Sequence, residues 1–280
     1  NLLLTELNCY RNEITNLDLS NNTALRELRC RDNLLTSLDL TNNPLLAKLY
    51  CEDNQLTSLD VSQNIALEFL YCWNNQLTSL DLSNNTALTA LSCQNNQLTS
   101  LDMSNLIDSI LNNIWIYGNP QLYCVKVSDP FFSDSNWQVG VHRNINTTFS
   151  IDCSNEIFGC MDASAVNYNQ SATISDGSCI GANLTFIPDD NFEQHFINFG
   201  ADTILDDSVS TYNINLFSIL EVHNMSISDL TGIESIVSLT HLRCHNNYNL
   251  TNIDLTNNTV LEILQCGSSD ISNLDLTNNP

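Results

Sequence analysis

The side chains that most often carry out catalysis are few in this chain, and their spacing matches no catalytic motif. Neither the Gly-x-Ser-x-Gly motif of serine nucleophiles nor the His-Glu-x-x-His motif of zinc proteases occurs, and there is no phosphate-binding loop. The histidines are His142, His195, His223, His241 and His245. No cysteine and histidine are placed so that the predicted fold would bring them together. The sequence therefore predicts a protein that is not an enzyme.

Two groups of side chains have the chemistry to bind a metal ion. His223 and His245 occupy equivalent places on neighbouring predicted strands, with His241 nearby, and two imidazoles one strand apart suit zinc or copper. No third ligand is evident, which favours solvated histidines. The second group offers oxygen ligands for one calcium ion and consists of Asp162, Asn167, Asn169 and Asp176. A solvated polar loop explains this group equally well, so no cofactor is established and calcium stays open.

The 11 cysteines fall into two classes by position. Seven occupy equivalent positions in a repeat: Cys9, Cys30, Cys51, Cys72, Cys93, Cys244 and Cys266. The first five are each 21 residues apart, and we interpret all seven as small buried hydrophobic residues. The other four are interpreted as two disulfides and are Cys124, Cys153, Cys160 and Cys179. Two disulfides indicate an oxidising, extracellular compartment.

A fixed period of 21 residues is the signature of a stacked repeat. Each unit reads Leu-x-x-Leu-x-Cys-x-x-Asn-x-Leu-x-x-Leu-x-Leu, as in residues 67–82. The Leu-x-Cys alternation predicts a short strand with leucine and cysteine inward. The asparagine three residues after each cysteine predicts a turn in which its side chain bonds the backbone. The period leaves no room for a full helix on the return side.

This unit resembles the leucine-rich repeat, in the short, cysteine-containing form found in large secreted or cell-surface proteins of Bacteroidota-type bacteria. The resemblance covers roughly residues 1–124 and 215–280. It implies an α/β solenoid dominated by β-structure, a right-handed superhelix with a parallel sheet, in two arrays joined by a small disulfide module. The usual roles of this family, protein or glycan binding and adhesion, follow as expectations.

In such a scaffold, the exposed sheet positions lie three residues before, one before and one after each cysteine. They include Glu52, Ala90 and Ser92. The predicted ligand-binding face consists of Arg29, Arg31, Tyr50, Phe69, Tyr71, Trp73, Trp115 and Tyr117. Its aromatic side chains would anchor a ligand, and its arginines would meet an anionic group. Alternatively, the aromatic side chains serve only cross-strand packing, or a neighbouring domain covers them.

A second series of equivalent residues runs down the opposite side of the first array: Asp18, Asp39, Asp60, Asp81 and Asp102. Successive carboxylates about 4.8 Å apart repel unless they are solvated, hydrogen-bonded or bound to a cation. A row of weak divalent-cation contacts is one interpretation. We favour the other, in which each aspartate caps a turn through its own backbone amides, because calcium needs more oxygens than one aspartate supplies.

The repeat rhythm breaks after Met103, and a sixth rung containing Trp115 and Tyr117 arrives two residues late. The segment that follows resembles the C-terminal cap of such arrays, which implies a Cys124–Cys153 disulfide and a buried Trp137. Residues 159–179 resemble a short module of secreted proteins, too small to fold on a hydrophobic core, so a Cys160–Cys179 disulfide is expected. The predicted domains are a first array (1–124), its cap (125–153), a linker module (154–181), a helical cap with a first rung (182–233) and a second array (234–280).

Residues 186–200 predict a helix that is capped by Asp189 or Asp190 and carries an apolar stripe of phenylalanines. The segment resembles the N-terminal cap of the same repeat family, in which an aspartate-rich loop resembling a calcium loop often follows. Here the loop of residues 202–207 lacks the glycine and the regular aspartate spacing. No calcium site is therefore expected in this loop.

A formal net charge of −24 argues against nucleic acid as a partner, and the lack of an 18-residue apolar run argues against a membrane span. Both ends of the chain fall inside a repeat, so we expect it to belong to a longer protein. The predicted function is a non-enzymatic, extracellular or cell-surface segment that binds a protein or glycan. Two alternatives stay open: a building block of a multimeric appendage that packs on further copies of itself, and an accessory region of a secreted enzyme.

Overall fold

The computed structural model describes residues 2–106, 111, 113–130, 133, 136–137, 142–155, 157–175, 179 and 183–279. The chain divides into two compact units, Asn1–Trp137 with Thr147–Asn155, and Gln138–Asn146 with Glu156–Pro280. Each unit contains a sheet of short parallel strands stacked rung upon rung. The predicted leucine-rich repeat solenoid, dominated by β-structure, is confirmed.

The sheet of the first unit has six parallel strands, one from each rung. They are β1 (Glu6–Asn8), β2 (Glu27–Arg29), β3 (Lys48–Tyr50), β4 (Phe69–Tyr71), β5 (Ala90–Ser92) and, after β6 (Leu101–Asp102), β7 (Asn113–Trp115). From β1 to β5 each residue pairs with the residue 21 positions later, as Tyr50 pairs with Tyr71. The offset grows to 23 between Ala90 and Asn113, so the sixth rung arrives two residues late, as predicted.

The core of the first unit is a column of leucine and cysteine side chains. The central leucine of each inner strand is fully buried, as at Leu49 and Leu70, and so are Cys51 and Cys72 on the same rungs. These cysteines are free thiols. Burial raises the pKa of the Cys30 and Cys93 thiols to about 12, so they stay protonated and pack as apolar groups. The interpretation of the repeat cysteines as buried is confirmed for five: Cys30, Cys51, Cys72, Cys93 and Cys244. Cys9 and Cys266 are only partly buried, because each lies on a rung at the edge of its sheet.

Buried asparagines bond each rung to the next. Asn75 accepts a hydrogen bond from the Leu56 amide at 2.9 Å and donates to the carbonyls of Cys51, Cys72 and Trp73. The equivalent asparagines on the inner rungs repeat this pattern: Asn33, Asn54, Asn96 and Asn119. The predicted turn role of these asparagines is confirmed.

The residue two positions after each cysteine adopts a left-handed backbone. It is Asp53 (φ 53°), Asn74 (φ 49°) and Asn95 (φ 55°) on successive rungs, and Gly118 (φ 65°) on the sixth. Asparagine, aspartate and glycine tolerate this conformation best. A side chain at Gly118 would also meet the Asn95 side chain, only 2.1 Å from the position of a Cβ atom.

A second parallel sheet closes the first unit. It is formed by β6, β8 (Cys124–Lys126) and β9 (Thr148–Ser150). The Cys124–Cys153 disulfide is present, and Trp137, which is only 2% exposed, packs edge-on against Phe149 at 5.2 Å between ring centres. The disulfide and the buried tryptophan expected from the cap are both confirmed.

The second unit contains the small module. β10 (Phe158–Gly159) pairs in parallel with β11 (Ile174–Ser175), and the expected Cys160–Cys179 disulfide is present. Next, β12 (Leu184–Phe186) pairs antiparallel with β13 (Ser208–Ser210), and these strands flank helix α1 (Asp190–Asn198). Helix α2 (Thr211–Ile214) leads to three parallel strands: β14 (Ile219–Glu221), β15 (His241–Arg243) and β16 (Ile263–Gln265).

Helix α1 is the predicted helix, and Asp189 is its N-cap. One carboxylate oxygen of Asp189 accepts the amides of Asn191 and Phe192, and the other accepts the amides of Ser228 and Asp229. The phenylalanine stripe is buried, with Phe192 and Phe196 fully enclosed. A single aspartate thus caps the helix and fastens it to the loop after β14.

No helix among the described residues combines the length and the apolar character that crossing a bilayer requires.

Candidate functional site: the outward face of the first sheet

The outward face of the first sheet carries two side-chain rows that flank the buried central leucines. Because neighbouring strands pair in register, Tyr50, Tyr71, Ser92 and Trp115 form one continuous row. A parallel row contains Lys48, Phe69, Ala90 and Asn113. Parallel strands lie about 4.8 Å apart, so each side chain touches its partners on both sides.

The aromatic side chains of this face are held in place by mutual contacts while staying partly exposed. Tyr50 and Tyr71 pack edge to face, with ring centres 5.2 Å apart. The ammonium group of Lys48 lies 5.7 Å from the ring centre of Phe69. Trp73, Trp115 and Tyr117 are each partly exposed on the same face. The structure therefore brings all six predicted aromatic residues onto one surface.

Three outward side chains of this face are buried, although the sequence predicted that they would be exposed. Glu52, Ala90 and Ser92 were expected to be exposed, but their exposed fractions are 2%, 1% and 4%. Ala90 and Ser92 are small and lie in register between much larger side chains, and Ser92 also donates its hydroxyl to the Gln94 amide oxygen at 2.6 Å. The burial of Ser92 thus reflects its small size beside Tyr71 and Trp115 and its bond to Gln94.

The basic end of the face is already paired with acidic side chains of the protein. Arg29 forms an ion pair with Glu27 and lies over the Tyr50 ring at 5.0 Å, while Arg31 lies 3.7 Å from Glu52. Burial raises the pKa of Glu52, although Arg31 opposes the shift. The predicted contact of these arginines with an anionic ligand stays a prediction, and such a ligand would have to compete with these carboxylates.

The aspartate series on the opposite side caps turns. In each rung the carboxylate accepts the backbone amide two residues later, as Asp81 does from Ser83 at 2.9 Å. The other members repeat this bond: Asp18, Asp39, Asp60 and Asp102. The amide of Ser83, followed by its hydroxyl, lowers the pKa of Asp81. The turn-capping interpretation is confirmed.

Two of the oxygen ligands predicted in the small module accept hydrogen bonds within the protein, although the second carboxylate oxygen of Asp162 is buried without a partner among the described residues. Asp162 accepts from the amide and hydroxyl of Ser164, and Asn169 accepts from the Ser171 amide at 3.0 Å. Asn167 is exposed, and Asp176 lies outside the described residues. A calcium ion bound by this group stays a prediction.

The structure brings together two of the three histidines that the sequence predicted as a group. His223 and His245 stack with ring centres 4.6 Å apart and an angle of 5° between their planes. His241 instead bonds the hydroxyl of Thr240 through Nδ1 at 2.9 Å. Since the lone pairs of two stacked rings point in parallel directions, they do not converge on one ion. A zinc or copper site there stays a prediction that requires the rings to rotate.

Part of the chain is similar in sequence to a known bacterial protein. No protein-family model matches the chain. A segment of 113 residues is 35% identical to a protein from Listeria monocytogenes serotype 4b, strain F2365. This chain is similar to Internalin J. The match covers 39% of this chain and 12% of Internalin J, so the chain spans a small part of that protein.

Solved structures of related proteins were also found. The functional domain of InlJ from Listeria monocytogenes, described as including a cysteine ladder, is 27% identical with a TM-score of 0.42, covering 99% of this chain and 56% of that one. An internalin, inlF, from strain 4b F2365 is 17% identical with a TM-score of 0.43, covering 99% of this chain and 71% of that one. The fold itself rests on the strand register described above.

Proposed function

We propose that this chain is a non-enzymatic, extracellular binding segment of a large secreted or cell-surface bacterial protein. Its binding site is the outward face of the first sheet, where Tyr50, Phe69, Tyr71, Trp73 and Trp115 anchor a protein or glycan. One observation carries the proposal: these aromatic side chains lie partly exposed on the outward side of strands whose register is fixed. The Bacteroidota-type origin expected from the sequence stays a prediction.

The chemistry of the face supports binding. Tyrosine and tryptophan contribute large contact areas and retain a polar group that pairs with a ligand. The strands fix their backbones, and contacts such as Tyr50–Tyr71 restrict their rotamers, so little side-chain entropy is lost on binding. Larger exposed apolar surfaces on soluble proteins generally mark interaction sites.

The charge of the face supports an uncharged or weakly charged ligand at its aromatic end. On β4, β5 and β7 and the residues directly after them, the outward positions of the first sheet are neutral, although the chain as a whole has a net charge of −24. Basic side chains of the predicted face lie at the rungs of β2 and β3, where Arg29 and Arg31 would contact the ligand at its edge.

An extracellular location rests on the two disulfides. Cys124–Cys153 and Cys160–Cys179 both link residues within one unit. Such bonds form and persist in oxidising compartments. Similarity to part of Internalin J supports the assignment to a cell-surface or secreted bacterial protein.

Binding is tested with labelled protein on glycan microarrays and on arrays of extracellular protein domains. We expect the double variant Tyr71→Ala/Trp73→Ala to lose at least about 30-fold in affinity, since even one aromatic anchor carries about 2 kcal/mol or more. The matched control is Tyr248→Ala, which removes a 68% exposed tyrosine from a turn of the second unit. Fluorescence of Trp73 and Trp115 reports the same contact directly.

Two outcomes would count against this function. If the double variant retains every glycan or protein that the unmodified chain binds, the aromatic face is not the site. If the unmodified chain binds nothing but forms an ordered oligomer that the double variant disrupts, the face joins copies of the chain, as in a structural appendage. Light scattering coupled to size-exclusion chromatography separates these cases.

A further inference from the structure

Glu52 is a carboxylate that is buried at an outward position of the predicted ligand-binding face. The Asp32 amide donates to the Glu52 carbonyl at 3.0 Å. One rung later, the Asp53 amide donates to the Trp73 carbonyl at 3.1 Å, so the register of the strands continues beyond them. Glu52 therefore lies in one row between Arg31 and Trp73, and only 2% of it is exposed. An acid thus occupies the place where the basic end of the face meets the aromatic end.

The carboxylate of Glu52 is poorly compensated for a buried charge. Nη1 of Arg31 lies 3.7 Å from Oε1 of Glu52, which is an ion-pair contact but longer than a hydrogen bond. Oε2 is buried and has no hydrogen-bond partner among the described residues. Glu27, on the rung before, contacts the two cations of Arg29 and Lys48 instead. Keeping Glu52 ionised therefore costs free energy, and protonation removes this cost.

The groups around Glu52 give the ionised form little further support. Burial raises the pKa of Glu52 most, and the charge of Asp53 adds to the shift, whereas a bond from its own backbone amide and the charge of Arg31 oppose it. Arg31 is the one cation within ion-pair distance of Glu52 among the described residues. The other titratable groups that its charge reaches are neutral at pH 7: Tyr71, Cys30, Cys51 and Cys72.

We propose that Glu52 binds a proton from solvent in mild acid and thereby changes which ligands the aromatic face accepts. Ionised Glu52 neutralises Arg31, so this part of the face suits an uncharged ligand. Protonated Glu52 leaves the guanidinium of Arg31 without its carboxylate. That guanidinium then binds an anionic group of the ligand, a carboxylate or a sulfate. The ligand preference rests on the binding function proposed above.

Arg31 stays in position when its partner is protonated. Its side chain is 45% exposed, and its guanidinium lies 4.9 Å from the centre of the Tyr10 ring. This cation–π contact does not depend on the charge of Glu52. The same guanidinium is therefore paired inside the protein when Glu52 is ionised and available to a ligand when Glu52 is protonated, without movement of the backbone.

The titration of Glu52 is measured on the whole chain by NMR of the side-chain carboxyl carbons. The Glu52 signal is assigned by its loss in Glu52→Gln. We expect this signal to titrate above the ordinary glutamate value of about 4.3. Arg31→Gln should raise the midpoint further, because it removes the cation that opposes protonation. Circular dichroism checks that the variants are folded.

The charge beside Trp73 is measured by quenching of its fluorescence with iodide, an anion, relative to acrylamide, which is uncharged. A Trp115→Phe parent leaves Trp73 as the accessible indole, since Trp137 is only 2% exposed. At neutral pH, we expect the iodide-to-acrylamide ratio to be about 1.5-fold higher with Glu52→Gln than in the parent, because a unit charge changes the local concentration of anions. The difference should disappear as the pH falls through the Glu52 midpoint.

The matched control is Glu27→Gln, which removes one carboxylate from the same sheet. Glu27 lies two rungs from Trp73, about 9.6 Å along the sheet, and this exceeds the Debye length of about 8 Å at 0.15 M salt. We expect the control to change the quenching ratio less than about 1.2-fold. It should also leave the difference between Glu52→Gln and the parent in place.

Ligand preference is tested on the glycan microarrays with sulfated and unsulfated forms of the same sugars, at neutral pH and at about pH 5, where sulfate esters stay ionised. We expect the sulfated forms to gain signal over the unsulfated forms in acid. Glu52→Gln should show the acid preference already at neutral pH, because its side chain carries no charge at either pH.

Three results would overturn the proposal. The first is a Glu52 signal that titrates at or below the ordinary glutamate value. The second is an equal quenching ratio in Glu52→Gln and its parent at neutral pH. The third is a preference for sulfated sugars that neither acid nor Glu52→Gln increases. If the chain binds nothing on any array, the proposed function fails and the ligand preference fails with it, whereas titration and quenching still decide whether Glu52 sets the charge of the face.

Discussion

Replacing Asn75 by alanine tests how the rungs are held together. The side chain of Asn75 is 8% exposed and makes four hydrogen bonds to the backbone. Its oxygen is the partner of the Leu56 amide. Its nitrogen donates to three carbonyls, two on its own rung and one, that of Cys51, on the rung before.

The energetic cost follows from which backbone groups lose their last partner. The carbonyls of Cys51 and Cys72 keep a second donor, from Asn54 and Asn96, and the Trp73 carbonyl keeps the Asp53 amide. Only the Leu56 amide is left without a partner, at about 1–3 kcal/mol for a buried donor. The three weakened carbonyls add roughly 0.5 kcal/mol each, so we expect a total loss of about 3 kcal/mol.

Asn12→Ala is the matched control, because Asn12 is exposed and its side chain bonds only the carbonyls of Cys9 and Tyr10 among the described residues. We expect this variant to lose less than about 1 kcal/mol. Urea unfolding followed by circular dichroism gives the overall stability. Because a stacked array opens locally, hydrogen exchange of the Leu56 amide is the sharper assay, and 3 kcal/mol corresponds to about 150-fold faster exchange.

The reasoning would be refuted if Asn75→Ala cost no more than Asn12→Ala, or if exchange at Leu56 were unchanged. The double variant Asn54→Ala/Asn75→Ala provides a second check. It removes both donors to the Cys51 carbonyl, so its cost should exceed the sum of the single costs by about 1 kcal/mol.

Two further predictions concern the effect of low pH and the loss of the Cys124–Cys153 disulfide. Burial among Phe196, Phe199 and Phe217 lowers the pKa of His195 to about 3, so between about pH 6.5 and pH 3 only the unfolded chain binds this proton. The second unit should lose about 2 kcal/mol between pH 7 and pH 5 by urea unfolding, in excess of the loss in His195→Phe, and equal losses would contradict this. Replacing Cys124 and Cys153 by serine opens a loop with a sequence separation of 29 and should cost the first unit about 3–4 kcal/mol in the chain-entropy model. A melting temperature unchanged by that double replacement would show that the cap is held by Trp137 and Phe149 alone.

The scaffold was predictable because each rung repeats the same local chemistry. Leucine and cysteine at alternating positions define a strand, and asparagine three residues after the cysteine defines the turn that follows. The repetition of the pattern also fixes the register, since a slip would misplace every leucine at once. For the same reason, the sequence alone predicted the late sixth rung, and the pairing of Ala90 with Asn113 confirms it.

The exposure of individual side chains was less predictable. Position in the repeat indicates only that Glu52, Ala90 and Ser92 point outward, whereas their burial depends on the sizes of side chains on the neighbouring rungs. Likewise, the sequence placed His223 and His245 side by side, but only the structure gave the stacked orientation of their rings. The rotamer of each of these side chains is set by the side chains that pack against it. Those side chains belong to other rungs, so the pattern within one rung does not predict the rotamer.

By itself, the sequence determined the repeat, the inward leucine and cysteine positions, and the outward aromatic residues such as Tyr71 and Trp73. All of these depend on spacing within one or two rungs. The two disulfide pairs were expected instead from the resemblance of the cap and of the small module to segments of the same kind of protein. Tertiary structure alone decided that Ala90 and Ser92 are buried between larger side chains of the neighbouring rungs. It also decided that Glu193 and Asn213 come to lie beside Asp202 and Asp206 of the loop after helix α1. The contacts beside the loop join residues at no regular separation in the sequence. They depend on how helices α1 and α2 pack around the loop between them.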